Sequence, residues 1–213
     1  MTATSEADVA WMSAELQAHR DVGADMERLL PGLREVGLVL CQVFGAGNRL
    51  YTFGNGGSAA DAQHLAGELI GRFRRERRPL PAISLSTDTS VITCIGNDFA
   101  YDQVFARQVR GLARPGDAVV AFTTSGRSPN VLKALTASRE IGATTILLSS
   151  GDGGDAAALA DHRVLVNSGS TQRTQEMHVL CLHLLSEMVD RWAEQTEAEE
   201  RLSRQAPTGT RQH

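Results

Sequence analysis

The chain has 213 residues, 42% hydrophobic and 22% charged, with a formal net charge of -4 at pH 7. That size suits one domain with appendages, and the mildly acidic balance argues against a protein that coats a polyanion such as DNA. The stretch to Asp8 carries no secretory pattern, and no apolar run approaches the ~20 residues of a membrane span.

Val9 to Gln17 and Asp25 to Phe44 carry apolar residues at helical spacing, with Met26, Leu29, Leu30, Leu33, Val36, Leu38 and Val43 on the face expected to be buried. Pro31 is expected to separate or kink these helices, and Gly45-Ala46-Gly47-Asn48 is a stop signal. Arg49 to Phe53 reads as a strand. The turn Gly54-Asn55-Gly56-Gly57 follows, then a helix from Ala59 to Gly71 with Ser58 as its expected N-cap. The connection from Gly71 to Pro81 holds Arg72, Arg74, Arg75, Arg77 and Arg78 beside Glu76 and reads as a solvated face. Ala82 to Leu85 reads as a short strand, Val91 to Ile95 as a short helix ended by Gly96-Asn97-Asp98, and Val104 to Leu112 as another helix.

Ala118 to Phe122 is a continuous apolar run between turn residues, the pattern of a parallel strand buried on both faces. It leads through Thr123-Thr124-Ser125-Gly126-Arg127-Ser128 into a helix from Asn130 to Ile141, stopped by Gly142. A strand from Thr144 to Ser149, a short helix from Asp155 to Ala160, a strand from Arg163 to Val166 and a long helix to about Ala193 complete the pattern. Residues 194–213 are charged and lack an apolar face, so disorder is expected there. The alternation predicts an α/β layered fold around five parallel strands, with residues 1–48 a helical addition and 49–193 the domain proper. The three cysteines, Cys41, Cys94 and Cys181, form no CxxC and read as buried reduced thiols of a cytoplasmic protein.

Two strand-to-helix turns are rich in small polar residues, Asn55 to Ser58 and Thr123 to Ser128. In an open parallel sheet both fall at the carboxyl edge, where ligands bind. Their hydroxyls and backbone amides suit a phosphate monoester, although Gly and Ser also serve simply as turn and cap residues. Gly54-x-Gly56-x-x-Ala59 matches the loose dinucleotide fingerprint, but Asp88 lies far beyond the ~20-residue spacing of its acidic partner and no GK[ST] triplet occurs. No nucleotide cofactor is expected. His64 and Glu68 stand at i and i+4 on one helix face, where they could meet a metal, a substrate hydroxyl or only each other. His183 lies within an apolar run, where a packed core histidine is the ordinary alternative.

Taken together, Gly54-Asn55-Gly56-Gly57-Ser58, His64 with Glu68, Gly96-Asn97-Asp98, Thr124-Ser125-Gly126 with Ser128, and Gln175-Glu176-Met177-His178 with His183 resemble the sugar isomerase (SIS) fold and, within it, the bacterial phosphoheptose isomerases. The similarity covers about Leu50 to Arg191. Departures from the pattern are Thr123 in place of serine, Arg127 in place of asparagine, and Ala59 after the glycine turn. The resemblance implies a SIS-type three-layer sandwich and a cytoplasmic homotetramer with active sites between subunits. It implies interconversion of sedoheptulose 7-phosphate and D-glycero-D-manno-heptose 7-phosphate, with no nucleic-acid or membrane partner. It assigns substrate contacts to Asn55, Gly56, Gly57, Ser58, Glu68, Asn97, Asp98, Thr123, Thr124, Ser125, Ser128 and Gln175, and acid–base roles to Glu68 and His183. Zinc, carried by some family members, would fall to His64, Glu68, Gln175 and His183.

Gln175 and His183 are eight residues apart, about 12 Å of rise on a straight helix. A break near Gln175, ligands from two subunits, or a site without metal is therefore expected. The rival from another class is an initiator-associating factor of bacterial chromosome replication, a SIS protein that binds a protein partner. It shares the Ser58-to-His64 segment and the arginine-rich connection but lacks the Glu68–His183 pair. A third possibility, a sugar-phosphate-sensing regulator, would bring a DNA-binding domain, and none is visible.

Overall fold

Short runs of β-branched and apolar residues form the sheet, whose three central strands are buried on both faces while the two edge strands are partly exposed. In the computed structural model, which describes residues 6–205, the strands are β1 (Leu50–Gly54), β2 (Ala82–Ser84), β3 (Ala118–Phe122), β4 (Thr144–Ser150) and β5 (His162–Val166). All are parallel, in the order β2-β1-β3-β4-β5. The helices are α1 (Glu6–Ala24), α2 (Leu30–Gly45), α3 (Gly57–Ile70), α4 (Thr89–Asp98), α5 (Val104–Leu112), α6 (Pro129–Ile141) and α7 (Thr171–Gln205).

Strand residues alternate between two cores. Leu50, Val120, Phe122 and Leu148 meet Leu33, Leu40, Leu65 and Leu182 of α2, α3 and α7. Tyr51, Phe53, Val119 and Ala121 meet Ile95, Phe105, Val109 and Leu135 of α4, α5 and α6. The helix after β1 and the helix after β3 thus lie on opposite faces. Since β1 and β3 are neighbours, a crevice opens between their carboxyl ends, the switch point where ligands bind in this strand order. Leu65 and Leu69 of α3 are fully buried, each worth roughly 2 kcal/mol. Thr52 Oγ1 in β1 donates to Ala62 O at 2.7 Å, which seats α3 on the sheet.

Several local expectations are corrected. Pro31 does not kink a helix: it sits in the first turn of α2, where its missing N–H costs nothing, and a 3-10 turn from Asp25 to Leu29 makes the join to α1. Ser58 is not the N-cap of α3; Gly56 is, and Ser58 is buried inside the first turn. Asp88 caps α4 by accepting from Val91 N at 3.0 Å, so that helix starts earlier than expected and runs through Gly96, Asn97 and Asp98. Cys94 is exposed on α4, its thiol 3.5 Å from Asp98 Oδ2, whereas Cys41 and Cys181 are buried. Burial pushes those two thiols up to about 11 and about 12. Residues 194–205 are helical, since α7 continues to Gln205 with Glu197 accepting from Arg78 N and pairing with Arg201. The remainder of the expected tail, 206–213, lies outside the described residues. Among the described residues, no helix is long and apolar enough to cross a membrane.

Candidate active site

The register Gly54↔Phe122 places Asn55 and Thr123 side by side at the carboxyl edge, as expected for the two small-polar turns. Asn55 is held there by a reciprocal amide pair: each Nδ2 donates to the other's Oδ1 between Asn55 and Asn130, both at 2.8 Å. Tyr101 Oη adds a 3.3 Å bond to Asn55 Oδ1. A cavity of about 340 Å³ opens beside Asn55, Tyr101, Asp102, Ser128, Pro129 and Asn130. In the second turn Thr123 is buried and its Oγ1 accepts from Gly126 N at 3.2 Å. Ser125 Oγ accepts from Arg127 N at 3.3 Å, and Ser128 caps α6 through its backbone, without a side-chain cap bond. Gly126 has φ +64°, and a Cβ there would collide with the carbonyl oxygen of Gly153, so this loop rests directly on the 151–154 loop. Asn97 and Asp98 are exposed at the end of α4, where Asn97 Nδ2 donates to Asp98 Oδ1 at 2.8 Å.

The other half of the site is the seam between α3 and α7. Gly57 faces Gln175 so closely that a Cβ would overlap its amide. Further along both helices Asp61 faces His178, with Oδ2 and Nδ1 4.0 Å apart. Further still, His64 Nε2 lies 3.1 Å from Glu68 Oε1 and 3.4 Å from His183 Nε2. The expected break near Gln175 is absent, since α7 is continuous from Thr171. One chain by itself therefore brings Glu68 to His183. His183 is only partly buried, not a packed core histidine; its pKa is lowered by partial burial, then by His64 and Arg74, with Glu68 opposing. The enclosed histidine is His178, pushed down to about 4 by burial, with Nε2 3.3 Å from Ser149 O. Asp61 is pushed up to about 6, mainly by burial.

Ligand atoms of His64, Glu68 and His183 all lie within 4.8 Å of one another. A single hydrogen on His64 Nε2 cannot satisfy both neighbours, whereas one cation among two imidazole nitrogens and a carboxylate oxygen would. That donor set fits zinc.

The arginine-rich connection is not simply a solvated face. The Arg77 side chain has no exposure: Nε donates to Asp190 Oδ1 at 2.8 Å, and its remaining nitrogens reach the carbonyls of Glu68, Leu69, Gly71 and Arg78. Arg75 pairs with Glu187 at 2.7 Å. Phe73, unremarked in the sequence, stacks on His183 with centroids 5.3 Å apart. Asn130 and Tyr101 were equally silent, being single polar residues whose partner Asn55 is distant in sequence.

An open parallel sandwich with a crevice at its switch point and a His–Glu–His cluster on the α3–α7 seam fits the SIS class, and a family model described as SIS domain matches residues 18–150. The match begins inside α1, so it takes in most of the leading helices. A phosphoheptose isomerase of Trichlorobacter lovleyi is 48% identical over 182 residues, 85% of this chain and 93% of that protein. One of Aquifex aeolicus is 51% identical over 144 residues, 68% of this chain and 75% of that protein. The solved phosphoheptose isomerase of Neisseria gonorrhoeae superposes with a TM-score of 0.80 at 36% identity, covering 84% of this chain and 97% of that one. The one from Francisella tularensis gives 0.84 at 29% identity, covering 90% and 100%. The chain belongs to the phosphoheptose isomerase family of SIS-domain proteins.

Proposed function

We propose that this protein is an aldose–ketose isomerase that converts sedoheptulose 7-phosphate to D-glycero-D-manno-heptose 7-phosphate through an enediol. The observation that carries the reading is the convergence of Glu68 and His183, 115 residues apart in the chain, on the same His64 ring. The replication-factor alternative is not favoured, because the pair it lacks is assembled here.

In this reading the Glu68 carboxylate takes a proton from C1 of the ketose while the carbonyl oxygen at C2 gains one from the His183 imidazole, giving the 1,2-enediol. Glu68 then returns its proton to C2, and His183 recovers a proton from the hydroxyl at C1, leaving the aldehyde. Positioned acid–base groups of this kind each contribute about 10²–10⁴-fold. His183 suits the exchange because its lowered pKa leaves the neutral ring available near pH 7. The turn Thr123–Ser125 with Ser128 takes the phosphate, aided by the N-terminus of α6, while Asn55 to Ser58, Asn97, Asp98 and Gln175 hold the sugar chain.

Zinc belongs to the proposal as a ligand of His64, Glu68 and His183; Gln175, which the unbroken α7 places at Gly57, could serve as a fourth donor only from a partner subunit. When bound it would polarise the substrate oxygens. Glu68 as a zinc ligand would be a weaker base, so the two roles compete. A cytoplasmic homotetramer with sites completed between subunits is the matching assembly. Supporting it, Trp11, Met12 and Leu16 of α1 and Leu180 of α7 are exposed apolar residues.

Incubating the purified protein with sedoheptulose 7-phosphate, with and without chelator, and following the aldose by NMR tests the reading. Aldose formation is expected; none under either condition would overturn it.

A further inference from the structure

His183 directs Nε2 at His64 Nε2, 3.4 Å away, yet an imidazole on a partly exposed helix face turns readily about its own side-chain bonds. Its surroundings remove that freedom. The Phe73 ring lies over one face, with centroids 5.3 Å apart and planes 20° apart. The His64 ring meets it edge-on, at 5.0 Å and 81°. Any large rotation of the imidazole would drive it through one ring or the other.

Phe73 is itself held. The Arg74 guanidinium lies 5.1 Å from its ring centroid. The backbone N–H groups of Arg74 and Arg75 donate to Asp190 Oδ2 at 2.8 and 3.0 Å. Asp190 also holds Arg77, whose guanidinium caps the carbonyl of Glu68. The segment carrying Phe73 is therefore pinned both to the helix of His183 and to the end of the helix of Glu68.

We propose that Phe73 is a positioning residue: its ring fixes the plane of the His183 imidazole and keeps Nε2 directed at the His64–Glu68 cluster. This rests on the isomerase reading given above. The ring acts through its flat face rather than its bulk, since stacked pairs depend on offset face contact. Leucine should therefore fail where tyrosine succeeds. The phosphate turn lies on another element, so substrate capture should change little.

The test compares the wild-type protein with Phe73→Leu, Phe73→Ala and Phe73→Tyr, using steady-state kinetics with sedoheptulose 7-phosphate and the NMR resonance of the His183 Cε1 proton, assigned with His183→Gln. Misplacement of a reacting group by about 1 Å costs on the order of 10²-fold. The leucine and alanine variants are expected to lose at least ~10-fold in kcat with KM little changed. Their His183 resonance should lose the shift imposed by the aromatic ring, and tyrosine should restore both. Unchanged kcat and an unmoved resonance in Phe73→Leu would overturn the proposal, as would a rise in KM at constant kcat. The resonance reports the stack independently of turnover. An inactive wild-type protein with the resonance shift intact would therefore count against the isomerase reading while leaving the stack in place.

Discussion

The Arg77 guanidinium and the Asp190 carboxylate meet at 2.8 Å with neither side chain exposed to solvent. Each has further duties, Arg77 on the last carbonyls of α3 and Asp190 on two backbone N–H groups. Together they tie the end of the Glu68 helix to the His183 helix.

Removing one partner strands the other. Asp190→Ala is expected to cost about 3–5 kcal/mol, because a buried guanidinium is left uncompensated. Asp190→Asn keeps an acceptor for the Arg74 and Arg75 N–H groups and should cost clearly less. Urea denaturation of the two variants measures the difference; equal losses would mean that the carboxylate contributes only its charge.

Glu68→Gln preserves shape and removes the base. Turnover is expected to fall by about 10²–10⁴-fold. Binding of sedoheptulose 7-phosphate, followed by calorimetry, should persist because the phosphate turn is untouched. Wild-type turnover in this variant would remove Glu68 from the chemistry.

Gly126→Ala attacks the phosphate turn through its backbone. Its φ of +64° disfavours any side chain, and the added methyl would collide with the Gly153 carbonyl. The turn must therefore move. The expected result is a KM for the sugar phosphate raised at least ~10-fold, the size of a lost charge-assisted hydrogen bond, with stability also reduced. Kinetics on the soluble variant decide the point.

Asp61 and His178 make opposing contributions to stability against pH. Burial raises the Asp61 pKa from 3.8 to about 6, so the folded state resists its ionisation, and this contribution falls as pH rises from 4 to 6. Burial lowers His178 from 6.5 to about 4, so the folded state resists its protonation, and stability is lost as pH falls from 6.5 toward 4. In the wild-type protein the two slopes largely offset. Asp61→Asn leaves only the histidine, and on acidification from pH 6.5 to 4 it should lose on the order of 2 kcal/mol more than the wild type does. Denaturation midpoints across that range would show whether the slope steepens.

Much of this architecture is legible in the sequence because its signals are local. The run Ala118–Phe122, short, apolar and bounded by turn residues, has the pattern of a strand buried on both faces, and the glycine and hydroxyl turns after β1 and β3 mark the edge where ligands bind in such sheets. What escaped depends on partners far away in the chain. Arg77 looks like one member of a solvated cluster until Asp190, 113 residues on, is brought beside it. Phe73 looks like a stray aromatic until α7 delivers His183. Of the three arrangements expected around Gln175 and His183, the unbroken α7 excludes only the break: Gln175 enters the seam at Gly57, while His183 enters it at His64 and Glu68. Residues 194–205 are helical without an apolar face because their charges meet one another and the connection beside them, as when Arg78 N donates to Glu197.

The unbroken course of α7 has a further consequence. Gln175, His178, His183 and Asp190 are spaced along one helix, so their relative directions are counted in residues. A single residue gained or lost between positions 178 and 183 would turn everything beyond it by about 100° and shift it by about 1.5 Å. His183 would leave its Phe73 platform and Asp190 its arginine in the same step. Length variation among relatives therefore belongs in the connecting loops, and a one-residue insertion in this helix would be as damaging as deleting the site.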